Sequence, residues 1–158
     1  MLNADLKQQL KQLLELMESD VEFVASLGSD DKSKELKELL DEIADMSARI
    51  TVTEKDLKRT PSFSVNRPGE ETGITFAGIP LGHEFNSLVL AILQVSGRAP
   101  KEKQSIIDQI KGLEGPFHFE TFVSLTCQKC PDVVQALNLM SVINPNITHT
   151  MIDGAVFR

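Results

Sequence analysis

Two cysteines separated by two residues, Cys127-Gln128-Lys129-Cys130, stand where an apolar run gives way to a helical pattern. They are the only cysteines in 158 residues. The run before them, residues 117–125, reads as a buried strand. The stretch after them, residues 130–143, has helical periodicity, with Val133, Val134, Leu137 and Met140 or Ser141 turned inward. A strand that turns directly into a helix, with a dithiol at the turn, calls for an α/β architecture.

The rest of the chain repeats that order. A leading amphipathic helix carries Leu6, Leu10, Leu13, Leu14 and Met17. A strand at 21–27, a helix at 33–46 with Leu36, Leu39, Leu40 and Ile43 on one face, and a short strand at 50–53 follow. Pro61 then leads an alternating strand, where a missing N–H removes no ladder bond. The turn at Arg67-Pro68-Gly69 opens a hairpin that returns at 74–77, and a strongly apolar helix runs from Glu84 to Val95. After the break Ser96-Gly97-Arg98-Ala99-Pro100, a second helix (101–113), the dithiol strand and helix, and a strand at 147–152 repeat the pattern. Phe23-Val24-Ala25-Ser26 aligns with Phe122-Val123-Ser124-Leu125, which puts Gly28 and Asp31 in the places of Cys127 and Cys130. After its leading helix the first copy reads β-α-β then β-β-α. This is the thioredoxin order, a parallel unit and a hairpin in one four-stranded sheet with helices on both faces. The second copy has no counterpart of the proline-led hairpin and last helix, about 40 residues. The expected fold is therefore α/β, with two tandem thioredoxin-like folds, residues 1–97 without thiols and residues 98–158 with CxxC, the second incomplete at its C-terminal side, which leaves the strand at Thr148 to Ile152 as an exposed edge.

Charge and hydropathy narrow the function. The formal charge is −7, and no basic stripe interleaved with aromatics offers a surface to nucleic acid. The longest apolar run, residues 88–93, is too short to cross a bilayer. The first residues open an amphipathic pattern and not a secretory signal, so the expected location is the cytoplasm. In a reducing compartment a CxxC pair reads as redox or metal chemistry and not as a structural staple.

Exchange needs a thiolate that attacks and a second thiol that resolves the mixed disulfide. Cys127 is expected at the helix start, where unpaired N–H groups and the dipole stabilise a thiolate. Cys130, expected one turn further in and more buried, is the resolver. Lys129 either lowers the thiol pKa or points to solvent. Pro131 suits a first helical turn. A metal site would need two more ligands, and His118 and His149 show no matching spacing. Glu84 has two readings: a carboxylate favoured by the helix dipole, or an acid that moves protons at the junction of the two folds.

Three stretches carry a family resemblance: Phe76-Ala77-Gly78-Ile79-Pro80-Leu81-Gly82-His83-Glu84-Phe85, then Ser87-Leu88-Val89-Leu90-Ala91, then Cys127-Gln128-Lys129-Cys130-Pro131-Asp132-Val133-Val134-Gln135-Ala136-Leu137-Asn138-Leu139-Met140. Across all 158 residues the chain resembles the N-terminal domain of alkyl hydroperoxide reductase F subunits. The resemblance implies two fused thioredoxin-like folds with one CxxC. It implies electrons received from a C-terminal flavoprotein part of the same subunit and passed to the disulfide of a peroxiredoxin, in a subunit that is a homodimer. It also strengthens the proton-moving reading of Glu84, and it likens Pro61 to the cis-proline of thioredoxin folds. No Gly-x-Gly-x-x-Gly occurs here, so no cofactor is expected in this chain, and FAD and NADH belong to the family's full-length subunit. A free-standing tandem oxidoreductase and a non-catalytic binding fragment are the competing readings.

Overall fold

The computed structural model describes residues 2–157. The helices are α1 (Ala4–Leu14), α2 (Asp31–Asp45), α3 (Phe85–Val95), α4 (Gln104–Lys111) and α5 (Cys130–Ile143). The strands are β1 (Val21–Ser26), β2 (Ile50–Glu54), β3 (Ser62–Asn66), β4 (Ile74–Ala77), β5 (Phe117–Val123) and β6 (Ile147–Asp153). Local chemistry sets the helix starts. The Asn3 side chain accepts the Leu6 N–H, and Asp30 accepts the Ser33 N–H, each satisfying a donor the helix leaves open.

All six strands form one sheet in the order β2-β1-β3-β4-β6-β5. Within the first copy β1 runs parallel to β2 and antiparallel to β3, which pairs antiparallel with β4. Within the second, β5 runs parallel to β6. The copies join by parallel pairing of β4 with β6, with Ile74 opposite His149 and Phe76 opposite Met151. The thioredoxin-like α/β fold stands, and the repeat shows in its caps: α2 begins at Asp31 and α5 at Cys130, the two positions the alignment matched.

One face of the sheet is apolar. Phe23 meets Phe63 edge-on at 5.5 Å, and Phe63 stacks on Phe76 at 5.4 Å. The buried sides of α1, α2, α3 and α5 join the same cluster. The opposite face carries Glu22, Thr51, Thr53, Ser64, Thr75 and Glu120, by register, and Thr51, Thr53 and Glu120 are exposed. Helices therefore pack on one face and not on both as expected. Where a helix would cross the polar face, the β2–β3 connection passes instead, and its Arg59 reaches Glu120 of β5 at 2.8 Å.

Three further expectations are corrected. β5 is an edge strand, not a buried one: Phe117 is 41% and Phe122 59% exposed. β6, expected at the sheet's exposed edge, lies between β4 and β5. On α5, Val134 and Ser141 face inward as expected, but the side they share is completed by Cys130 and Asn138, at a spacing of three or four, and Val133 is 51% exposed. Hydrophobic periodicity alone could not set that face, because Asn138 and Ser141 are polar residues that the interior satisfies.

Candidate redox site

Cys127 and Cys130 are joined as a disulfide with their Cα atoms 5.5 Å apart. They lie where β5 ends and α5 begins, on the carboxyl side of two parallel strands. Val123 is the last residue of β5, and the Cys127 N–H donates to the Ser124 carbonyl at 3.0 Å, closing a turn. α5 spans the expected residues 130–143, but both thiols sit one turn earlier relative to it than expected. Cys130 is its first residue, with Lys129 at the N-cap and Pro131 in the first turn. Cys127 thus sits ahead of the helix, not on it. The backbone N–H of Cys130 donates to Cys127 Sγ at 3.2 Å. Helix N-terminal donors of this kind favour a thiolate over a thiol. Both cysteines are half-buried, and Cys130 packs against the apolar cluster.

Glu84 comes from the other copy. It closes a 3₁₀ turn, Gly82–Glu84, and forms the N-cap of α3. The turn is fastened to the dithiol loop: the His83 N–H donates to the Leu125 carbonyl at 3.0 Å. Gly82 has φ +58°, and a Cβ there would lie 2.7 Å from the same carbonyl oxygen, so only glycine lets the two loops meet. Glu84 is fully buried, and its side chain caps no backbone N–H. Ser87 Oγ donates to its Oε1 at 2.8 Å, while Oε2 is buried with no partner among the described residues. Burial pushes its carboxyl above the usual range, against the opposing pull of Ser87 and His83.

The remaining sequence candidates separate. Thr60–Pro61 is a cis peptide bond, as in the thioredoxin pattern. It lies in the thiol-free copy, where Ser26 and Thr60 hydroxyls meet at 2.6 Å. His118 is exposed and bonds the Thr148 hydroxyl through Nδ1 at 2.6 Å. His149 is fully buried between Asn138 Oδ1 (2.7 Å, at Nδ1) and Thr121 Oγ1 (2.8 Å, at Nε2). Among the described residues no group of three His, Cys, Asp or Glu side chains could hold a metal ion. Among the described residues no helix is long and apolar enough to cross a membrane. The buried Ser87, and Gln135 on α5, are polar residues of this junction that sequence reasoning did not single out. Ser87 stands among apolar neighbours in α3, which is the signal that could have found it.

No protein-family model matches the chain. It is 95% identical over all 158 residues to the alkyl hydroperoxide reductase F protein of Staphylococcus epidermidis, and 90% identical to that of Staphylococcus aureus. It spans 31% of the length of those relatives. Its fold superposes with a TM-score of 0.92 on the NTD_N/C domain of the alkyl hydroperoxide reductase AhpF of Enterococcus faecalis. That match has 34% identity and covers 99% of this chain and 82% of that one. A protein disulfide oxidoreductase of Aeropyrum pernix shares the fold at 19% identity, with a TM-score of 0.83. From the dithiol geometry and these likenesses together, the chain belongs to the family of alkyl hydroperoxide reductase F subunits, as its N-terminal part.

Proposed function

We propose that this chain is the redox relay of its subunit, carrying electrons from a flavoprotein dithiol to the disulfide of a peroxiredoxin. The observation that carries the reading is the Cys127–Cys130 disulfide at the start of α5, with a helix N–H on Cys127 Sγ. When reduced, the Cys127 thiolate attacks one sulfur of the partner's disulfide. The mixed disulfide forms and one partner thiolate leaves. Cys130 then attacks Cys127 Sγ, the internal disulfide closes, and the second partner thiolate leaves. Two electrons and two protons move to the partner. Glu84 is the acid that supplies and recovers protons at the junction.

Residues 1–97 act as the thiol-free fold and residues 98–158 as the redox fold. The free edge of β5 is where a further hairpin of the same subunit completes the second sheet, as β3 does for β1 in the first copy. The residues here do not fit a dinucleotide, since no Gly-x-Gly-x-x-Gly follows any strand. FAD and NADH are assigned to the remainder of the subunit, whose relatives extend well beyond this segment. The setting is peroxide defence in the cytoplasm.

The test is a trapping experiment on the intact subunit with oxidised peroxiredoxin. Cys130→Ser is expected to accumulate a mixed disulfide through Cys127, and Cys127→Ser to accumulate none through Cys130. No trapped species with either variant would remove the relay reading and leave a binding role.

A further inference from the structure

The buried carboxylate of the first copy is tied to the dithiol helix of the second by two hydrogen bonds. Ser87 Oγ donates to Glu84 Oε1 at 2.8 Å, and Gln135 Nε2 donates to Ser87 Oγ at 3.2 Å. Ser87, on α3, is almost wholly buried. Gln135 is on α5, five residues after Cys130. The direction of each bond is fixed by chemistry. An amide N–H can only donate, so the hydroxyl oxygen accepts from Gln135 and its single proton is free for Glu84. Oε1 is thereby an acceptor in either protonation state. The exchangeable proton of Glu84 then belongs on Oε2, the oxygen left without a partner among the described residues.

We propose that Ser87 and Gln135 are positioning residues for the exchange reaction: they hold the Glu84 carboxyl so that Oε2 carries the mobile proton, and they couple it to the dithiol helix across the junction of the two copies. This rests on the proton-moving reading of Glu84 given above. The alternative for a buried serine is to bond its own helix carbonyl, which would leave Glu84 with neither oxygen satisfied. The observed arrangement leaves one oxygen unsatisfied, the minimum a proton donor and acceptor needs to keep free. The charge acting on Glu84 from its own segment is His83. The titratable groups on the elements beside the Gly82–Glu84 turn are Lys129 at the N-cap of α5, Asp132 in its first turn, Cys130 at its start and Cys127 just ahead of it once the pair is reduced, and Asp153 at the end of β6, whose Cβ lies against Gly78.

The relay also predicts a direction. The Ser87 hydroxyl favours the ionised carboxylate, so removing it raises the pH at which Glu84 gives up its proton. The experiment follows oxidation of the reduced Cys127–Cys130 pair by glutathione disulfide in the intact subunit across pH. Samples are quenched by alkylation and read by mass spectrometry of the peptide holding both cysteines. Glu84→Gln removes one limb of the pH–rate profile. Ser87→Ala and Gln135→Ala move that limb to higher pH, Ser87 giving the larger shift, and Ser87→Thr, which keeps the hydroxyl, restores it. If Glu84→Gln leaves the profile unchanged, the proton-moving reading fails and this proposal with it. If Glu84→Gln removes the limb but Ser87→Ala leaves it in place, only the positioning proposal is overturned. Loss of folding in Ser87→Ala, seen by circular dichroism, passes the decision to Gln135→Ala. Its side chain is half-exposed, and an unmoved limb in that variant overturns the proposal equally.

Discussion

His149 sets a stability limit on the acid side. It lies fully buried on β6, next to the edge strand β5, with Asn138 of α5 and Thr121 bonded to its two ring nitrogens. Because Asn138 Oδ1 can only accept, Nδ1 carries the proton, and Nε2 accepts from the Thr121 hydroxyl. The neutral ring satisfies both partners; a second proton would have to displace the Thr121 hydroxyl proton inside an apolar layer. Burial, with a smaller repulsion from His118, lowers the pKa from 6.5 to about 4. A group whose folded pKa is depressed contributes stability that is complete above the unfolded pKa. That stability is lost as pH falls toward the folded pKa. The window is therefore pH 6.5 down to about 4. A difference of about 2.5 units corresponds to about 3 kcal/mol. Urea unfolding of the native chain and of His149→Gln, across pH 7.5 to 4, isolates the effect. Every other group is common to both proteins. The native chain should lose about 3 kcal/mol more than the variant over that window. Two pH–stability curves that run parallel would refute the argument.

Other outcomes follow from the same geometry. Gly82→Ala places a methyl against the Leu125 carbonyl at φ +58°; it should cost about 1–3 kcal/mol in thermal unfolding and slow dithiol exchange by parting the two loops. Phe63→Ala removes the middle ring of the Phe23–Phe63–Phe76 stack and should cost about 3–5 kcal/mol in denaturant unfolding. Glu84→Gln should raise stability near neutral pH. The native carboxyl, with a raised pKa, contributes stability below the ordinary carboxylate pKa and loses it as pH rises through its folded pKa. Equal stability of variant and native protein at pH 7.5, with the gap opening only in acid, would contradict that sign.

Most of the element order was readable, because the apolar periods of 3.6 and 2 are strong in α2, β3 and β4 and because Pro61 and Gly69 mark their turns. The two copies were visible through one short alignment, and the structure bears this out in helix starts at Asp31 and Cys130. What failed was sidedness. Phe117 to Val123 is as apolar as a core strand, yet β5 is an edge. Apolarity records that a strand is meant to be covered but not by which residues. The inner face of α5 was read only in part, Val134 and Ser141 but not Asn138, because Asn138 is buried through its bond to His149, a partner eleven residues away on another element. The junction escaped for the same reason. Glu84 could be read as a helix-start acid, but its link to α5 runs through Ser87 and Gln135, a contact between residues 48 apart.

The central claim is that Cys127 and Cys130 hand two electrons to a peroxiredoxin disulfide. The direct measurement is a single-turnover transfer in rapid mixing, with the reduced subunit in known amount and oxidised peroxiredoxin in excess, read by counting the thiols that appear on the partner. The account predicts two partner thiols for each Cys127–Cys130 disulfide formed, with none formed through this pair in Cys127→Ser. Partner thiols appearing at the native rate in Cys127→Ser would contradict it.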